Sequence, residues 1–263
     1  MTESHGQVTR EAARTYERFF VPAIFGQWAA PIADAADLAA DARALDVACG
    51  TGVVTRELAR RLGPSNVRGL DCNAGMLAVA RDVGPDILYE QGHAEALPYD
   101  AGSFDAITCA FGLMFFADRV AALRQMWRAL RPGGRLVVAT WSALPTTPGY
   151  DAMVRLLARL FGDAIADELR APFVLGDARA VAAPFEAATI PVNVATIPGR
   201  ARFPSLEAWV HTDVEGWTLA GRLDAAQVAR LRAEASDALS RFVDATGAVD
   251  FEAPALLAVA TKL

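Results

Sequence analysis

The chain's 263 residues suffice for one large domain or a domain with a substantial cap, and a 53% hydrophobic share supplies a core. A net charge of -6, from 31 acidic and 25 basic residues without a basic run, argues against a nucleic-acid surface. No stretch approaches the roughly 18 apolar residues of a membrane span, and the polar residues 1–18 lack an apolar signal core, so a cytoplasmic protein is expected.

Residues 8–29 carry Tyr16, Phe19, Phe20, Phe25 and Trp28 around Pro22, which interrupts or restarts a helix. Residues 29–42 read as an alanine-rich helix. Residues 44–48 form the first strand, short and apolar as a central parallel strand is. A helix over 53–62 places Val54, Leu58 and Leu62 on one face. A strand at 66–71, a helix at 74–83 and strands at 87–90 and 104–110 follow. A helix over 118–130 is capped by Asp118, and the fifth strand covers 135–141. Five such alternations predict an open, doubly wound α/β sheet with helices on both faces. Beyond Trp141 come a loop at 144–149, helices at 150–161, 206–217 and 225–245, and strands at 186–196 and 255–261. Pro191 marks the first of these two as an edge or bulge, and the pair can complete the sheet.

Residues 45–52, Leu-Asp-Val-Ala-Cys-Gly-Thr-Gly, place Gly50 and Gly52 where a strand hands over to a helix. Glycine there permits close ligand approach, and a helix N-terminus offers unpaired N–H donors. Asp71, at the end of the second strand, is placed to accept both hydroxyls of a ribose. A dinucleotide fingerprint begun at Gly50 needs a third glycine at position 55, where Thr55 stands; begun at Ala48, it lacks the first. Asp46 is unusual, because a carboxylate inside a central strand is costly unless hydrogen-bonded or paired. It suits a cationic sulfonium donor with an amino-acid tail, hence S-adenosylmethionine over NAD. A nicotinamide-dependent oxidoreductase and a non-catalytic S-adenosylmethionine-binding or regulatory protein stay open as alternatives.

Further along, residues 92–99 can pinch an adenine through the Ala94 N–H and His93. Ala48, Thr51, Cys72, Met76, Glu95 and Phe111 complete the expected cofactor lining. Phe20, Phe25, Phe115, Trp141 and Trp209, with Phe19, Phe111, Phe116 and Trp217 beside them, favour a small apolar or aromatic acceptor. His211 is the first candidate for a base, ahead of Tyr16 and Tyr150. The histidines are too dispersed for a metal motif, and Cys49, Cys72 and Cys109 read as buried thiols in a reducing compartment.

These residues resemble the class I S-adenosylmethionine-dependent methyltransferases, within the ubiquinone/menaquinone-biosynthesis-like group acting on small molecules. Residues 45–52 look like that family's first motif and Asp71 like its ribose-binding acid. Residues 92–99 with 103–105 are similar to its adenine loop and fourth strand, and residues 129–136 to the turn before its fifth. The resemblance implies a Rossmann-like seven-stranded sheet with the last strand antiparallel, and amino-terminal helices folded over the cofactor. The expected division is a helical lid at 1–42, a donor-binding core at 43–141, and cap helices with completing strands at 142–263. His93 stands where the family usually has aspartate; its imidazole either accepts the adenine amino group or points away.

Overall fold

The computed structural model describes residues 9–216, 219 and 221–263. Its first strand, β1 (Ala44–Val47), is buried at all four positions, as a strand covered on both faces must be. The other strands are β2 (Val67–Asp71), β3 (Leu88–Gln91), β4 (Phe104–Ala110), β5 (Leu130–Trp141), β6 (Asn193–Ile197), β7 (Arg200–Phe203), β8 (Val249–Glu252) and β9 (Ala255–Thr261). Seven of them form one sheet in the order β3-β2-β1-β4-β5-β9-β6. Strands β1 to β5 run parallel, and β9 is antiparallel to both β5 and β6. This is the expected Rossmann-like sheet with a reversed last strand.

The helices are α1 (Arg10–Thr15), α2 (Ala29–Ala35), α3 (Val53–Leu62), α4 (Ala74–Val83), α5 (Arg119–Ala129), α6 (Pro148–Phe161), α7 (Asp163–Arg170), α8 (Ala178–Ala187), α9 (Leu206–Gly216) and α10 (Ala225–Ala238). Between α1 and α2 the chain winds through a wide π-helical stretch, Tyr16–Phe25, that contains Pro22. Proline lacks the N–H a regular helix needs, which explains why the aromatic segment is not one α-helix. α3 buries Val54, Leu58 and Leu62, as its period predicts. Asp118 caps α5 by accepting the Ala121 N–H at 2.9 Å. The lone lysine of the sequence, Lys262, donates to the Trp127 and Leu130 carbonyls at 2.7 and 2.6 Å, binding the end of β9 to the end of α5.

Several expectations need correction after Trp141. α8 runs to Ala187, so the strand expected over 186–196 begins only at Asn193. The helix expected over 225–245 ends at Ala238, and α7 lacked a clear pattern. β7 and β8 pair as a separate antiparallel ribbon that sequence reading did not anticipate. Gln27 donates to the Arg200 carbonyl at 2.6 Å and accepts the Arg200 N–H at 3.0 Å, extending that ribbon towards the lid. Cys49 and Cys109 are buried, but Cys72 is exposed, because it lies past the end of β2. Among the described residues no helix is long and apolar enough to cross a membrane.

Candidate active site

From β1 the chain runs on through α3 to β2, while β4 pairs with the opposite edge of β1. A crevice opens at the carboxyl ends of β1 and β4, where an open α/β sheet takes its ligands. Both strand ends are left-handed at non-glycine residues, Ala48 at φ 56° and Phe111 at φ 55°. Such a conformation costs about 1–2 kcal/mol at each residue, and here the pair of bends opens the sheet edge. Gly50 and Gly52, at φ 56° and 86°, continue the turn. A Cβ on Gly50 would meet nothing within 4 Å, so open space lies over the turn there.

Ala48, Cys49, Gly50, Val53 and Val54 line one wall of the cleft, Ala110 and Phe111 a second, and Tyr16, Phe25 and Trp28 the roof. The cleft is narrow, about 30 Å³, and partly open to solvent. Phe111 stacks on Trp141 with ring centroids 4.0 Å apart, and Phe25 packs on Tyr16, Phe111 and Trp141 at 5.0, 5.4 and 5.5 Å. Tyr16, Phe25 and Trp28 thus roof the cleft, with Phe25 packed on Phe111 and Trp141.

Asp46 reaches the cleft from within β1 and is 1% exposed. Its two carboxylate oxygens accept the hydroxyls of Thr55 and Thr108, each at 2.7 Å. Burial raises its pKa to about 6, against the lowering effect of those hydrogen bonds. Sequence reading assigned Asp46 to the turn's backbone or to a ligand ammonium; its observed partners are the hydroxyls of Thr55 and Thr108 and the backbone of Thr55. Thr108 lies opposite Asp46 in the β1–β4 register, which is where a sequence signal for the pair could have been sought.

Asp71 binds the turn directly. One oxygen accepts the Gly50 N–H at 2.8 Å and the other the Asn73 N–H at 2.8 Å. The Gly52 N–H donates to the Cys49 carbonyl at 2.8 Å. The N–H groups of both turn glycines are thus engaged within the protein. Burial raises the Asp71 carboxyl above the usual range, against its backbone hydrogen bonds.

Around the crevice, Ala94 is buried and His93 exposed, its carbonyl accepting the Ala96 N–H at 3.1 Å. Met76 and Glu95 are half-buried, and the buried Thr51 hydroxyl has no hydrogen-bond partner among the described residues. Tyr16 lines the cleft, and burial first, then the charges of Glu17 and Asp71, raises its phenol well above the ordinary value. His211 lies on α9, half-buried, edge-on to Phe19 with centroids 5.6 Å apart. Phe20 is fully buried, while Phe115 is exposed at the rim past β4.

Tyr150 and Trp209 lie elsewhere. Both are buried against Phe251, Tyr150 also against Phe173, and neither lines the cleft. The Tyr150 hydroxyl donates to Asp213 at 3.4 Å, and burial raises its pKa well above 10, opposite to what a base needs. Their positions assign them to the hydrophobic core. Trp217 lies outside the described residues. Among the described residues no cluster suits a metal ion.

The family model described as "Methyltransferase domain" matches residues 45–138. These residues are similar to a methyltransferase domain. The chain is 41% identical over 146 residues to the ubiquinone/menaquinone biosynthesis C-methyltransferase of Hahella chejuensis, covering 51% of this chain and 58% of the relative. It is 43% identical over 118 residues to the demethylmenaquinone methyltransferase of Deinococcus radiodurans, covering 43% and 48%. The chain thus spans about half the length of the curated relatives it matches. Phosphoethanolamine N-methyltransferase 2 of Haemonchus contortus, solved with S-adenosyl-L-methionine, shares the fold at TM-score 0.62 and 18% identity, covering 97% of this chain and 58% of that one.

The residues at the crevice fit the donor of this class. Open space over Gly50, the unpartnered Thr51 hydroxyl and a carboxylate at the end of β2 lie together, with an aromatic roof above the turn.

Proposed function

We propose that the protein transfers the methyl group of S-adenosylmethionine to an oxygen, nitrogen or carbon of a small, apolar or aromatic metabolite. One observation carries the reading: a single cleft joins the left-handed turn after β1, the buried Asp46 carboxylate and an aromatic roof, while Asp71 holds that turn from the end of β2. The division into a lid at 1–42, a donor-binding core at 43–141 and a cap at 142–263 belongs to this reading, as do a cytoplasmic setting and the absence of a nucleic-acid partner.

When bound, the donor supplies an electrophilic methyl on a cationic sulfur whose leaving group needs no acid. The chain supplies alignment, charge and dryness. Asp71 has lone pairs left for ribose hydroxyls, and Asp46 offers negative charge to a cationic ligand. Ala48, Gly50, Thr51 and Gly52 shape the floor. Cys72, Met76, His93, Ala94 and Glu95 flank the adenine side, and Phe111 closes the wall. Tyr16, Phe25 and Trp28 exclude water. The indole N–H of Trp28, a cleft-lining residue, is buried without a hydrogen-bond partner among the described residues, which suits an acceptor bearing oxygen. Ring compounds methylated on carbon, the kind of reaction the relatives' names give, suit the same apolar wall. His211, beside the lid at Phe19, is the base of this reading. The dinucleotide alternative finds no support at position 55, where the Thr55 hydroxyl is fixed on Asp46.

Titration with S-adenosylhomocysteine and with NAD, followed by a metabolite-extract assay with labelled methyl donor, tests the proposal. Uptake of S-adenosylhomocysteine and one labelled small molecule are expected. Retention of NAD alone, or binding without a methylated product, overturns it.

A further inference from the structure

Tyr16, in the roof of the cleft, is followed in the chain by Glu17, whose carboxylate leaves the lid and meets α3. Arg56 Nη2 donates to Glu17 Oε1 at 2.7 Å, and Arg56 Nη1 donates to the Thr51 carbonyl at 2.6 Å. One guanidinium therefore joins the residue between the two turn glycines to the residue beside the roof tyrosine. Both side chains are sheltered, 26% exposed for Arg56 and 20% for Glu17, so water and salt screen the pair less than a surface pair. Arginine suits this geometry because its planar fork serves two acceptors at once.

The other ion pairs of the amino-terminal segment are more exposed on at least one side. Arg10 and Arg14 meet Asp82 at 2.7 and 3.6 Å, with side chains 44–62% exposed, and Arg61 and Arg135 meet Asp34 and Asp37 at 2.7 and 2.8 Å, with the carboxylates 70% and 69% exposed. Between Tyr16 and Phe25 the lid's backbone is π-helical, a rare winding that is frequent at functional sites. At the far end of the lid, Gln27 holds it to β7 by two hydrogen bonds. Tyr16, Phe25 and Trp28 of this segment roof the cleft beneath. The segment is held to β7 at Gln27, to α3 at Asp34, and at Glu17 by the arginine that also grips the turn.

We infer that Glu17 and Arg56 are positioning residues for the methyl donor: their ion pair fastens the lid to the glycine turn and sets how fast the donor is released. This rests on the methyl-donor reading of the cleft. The pair contributes no atom to the chemistry; it holds Tyr16 over the site and the Thr51 carbonyl beneath it.

Stopped-flow kinetics of S-adenosylhomocysteine release from the full chain tests this with wild type, Glu17→Gln, Arg56→Gln and the double variant. Each single change is expected to speed release roughly tenfold, as breaking a sheltered charge pair acts mainly on dissociation. The double variant should release no faster than the faster single, because both remove one fastening. Raising salt from 50 to 500 mM should speed release from wild type but not from the variants. The KM for the donor should rise while that for the acceptor stays within twofold. Release within twofold of wild type in the singles, or effects that multiply in the double, overturns the inference. If Arg56→Gln does not fold, Glu17→Gln and its salt dependence decide on the same terms. A wild-type protein that does not bind S-adenosylhomocysteine refutes the donor reading itself, which keeps the two failures apart.

Discussion

Asp71, the last residue of β2, accepts the N–H of Gly50, in the turn after β1, at 2.8 Å. The residue assigned to the ribose thus also holds the turn that faces it. Replacing Asp71 by Ala removes both acceptors and releases the turn. Charge-assisted hydrogen bonds contribute about 1.5–3 kcal/mol each, so S-adenosylhomocysteine affinity should fall roughly 100-fold or more. Asp71→Asn, which retains one carbonyl oxygen, should lose less. Calorimetric titration decides; a dissociation constant within threefold of wild type for the alanine variant removes Asp71 from the site.

The buried carboxyl of Asp46 predicts a pH dependence of stability. Its pKa of about 6 in the fold exceeds the ordinary 3.8, so the folded state holds more proton between those values. Stability from this group is then greatest below about pH 4 and falls as pH rises through 6, by up to ~3 kcal/mol. Burial shifts Asp213 the same way. Asp46→Asn should flatten the decline between pH 4.5 and 7 in urea unfolding. Equal declines in variant and wild type would show that Asp46 carries no such shift.

Beneath the turn, Tyr89 of β3 decides which residues are tolerated. A Cβ on Gly52 would lie 2.5 Å from the Tyr89 hydroxyl, and one on Gly69 would lie 2.6 Å from its ring. That hydroxyl is buried without a hydrogen-bond partner among the described residues. Gly52→Ala should destabilise by roughly 2–4 kcal/mol, through its left-handed backbone and the clash together. Tyr89→Phe should relieve the part due to the hydroxyl at Gly52 and nothing at Gly69. Thermal unfolding of the two alanine variants in both backgrounds checks this, and equal rescue at both glycines would contradict it.

His211 gives the fourth test. Replaced by Ala, it should lower turnover by roughly 100-fold, the scale of a general base, with donor affinity within twofold. Unchanged turnover with the identified acceptor would leave His211 only its packing on Phe19.

Residues 44–141 were the readable part of this chain. Short apolar strands, Asp118 as a cap and Gly50 and Gly52 at a strand–helix junction are local signals, and the sheet follows from them. What escaped was set by register and packing. Asp46 is recognisable as costly from its strand, but its partner Thr108 comes from 62 residues away. Tyr150 and Trp209 looked like site residues because aromatic spacing alone does not separate a cleft wall from the hydrophobic core. β6 began later than expected because α8 continues past Pro184, and the β7–β8 ribbon is too short to leave a period.

The single ammonium side chain has a practical corollary. Lys262 spends its donors on two carbonyls at the end of α5, and burial lowers its pKa. An amine-acylating reagent therefore meets one side-chain target, whose lowered pKa leaves more of it as the free amine while its two hydrogen bonds hold it against the end of α5. The rate of its acylation would report how often that side chain leaves its two carbonyls.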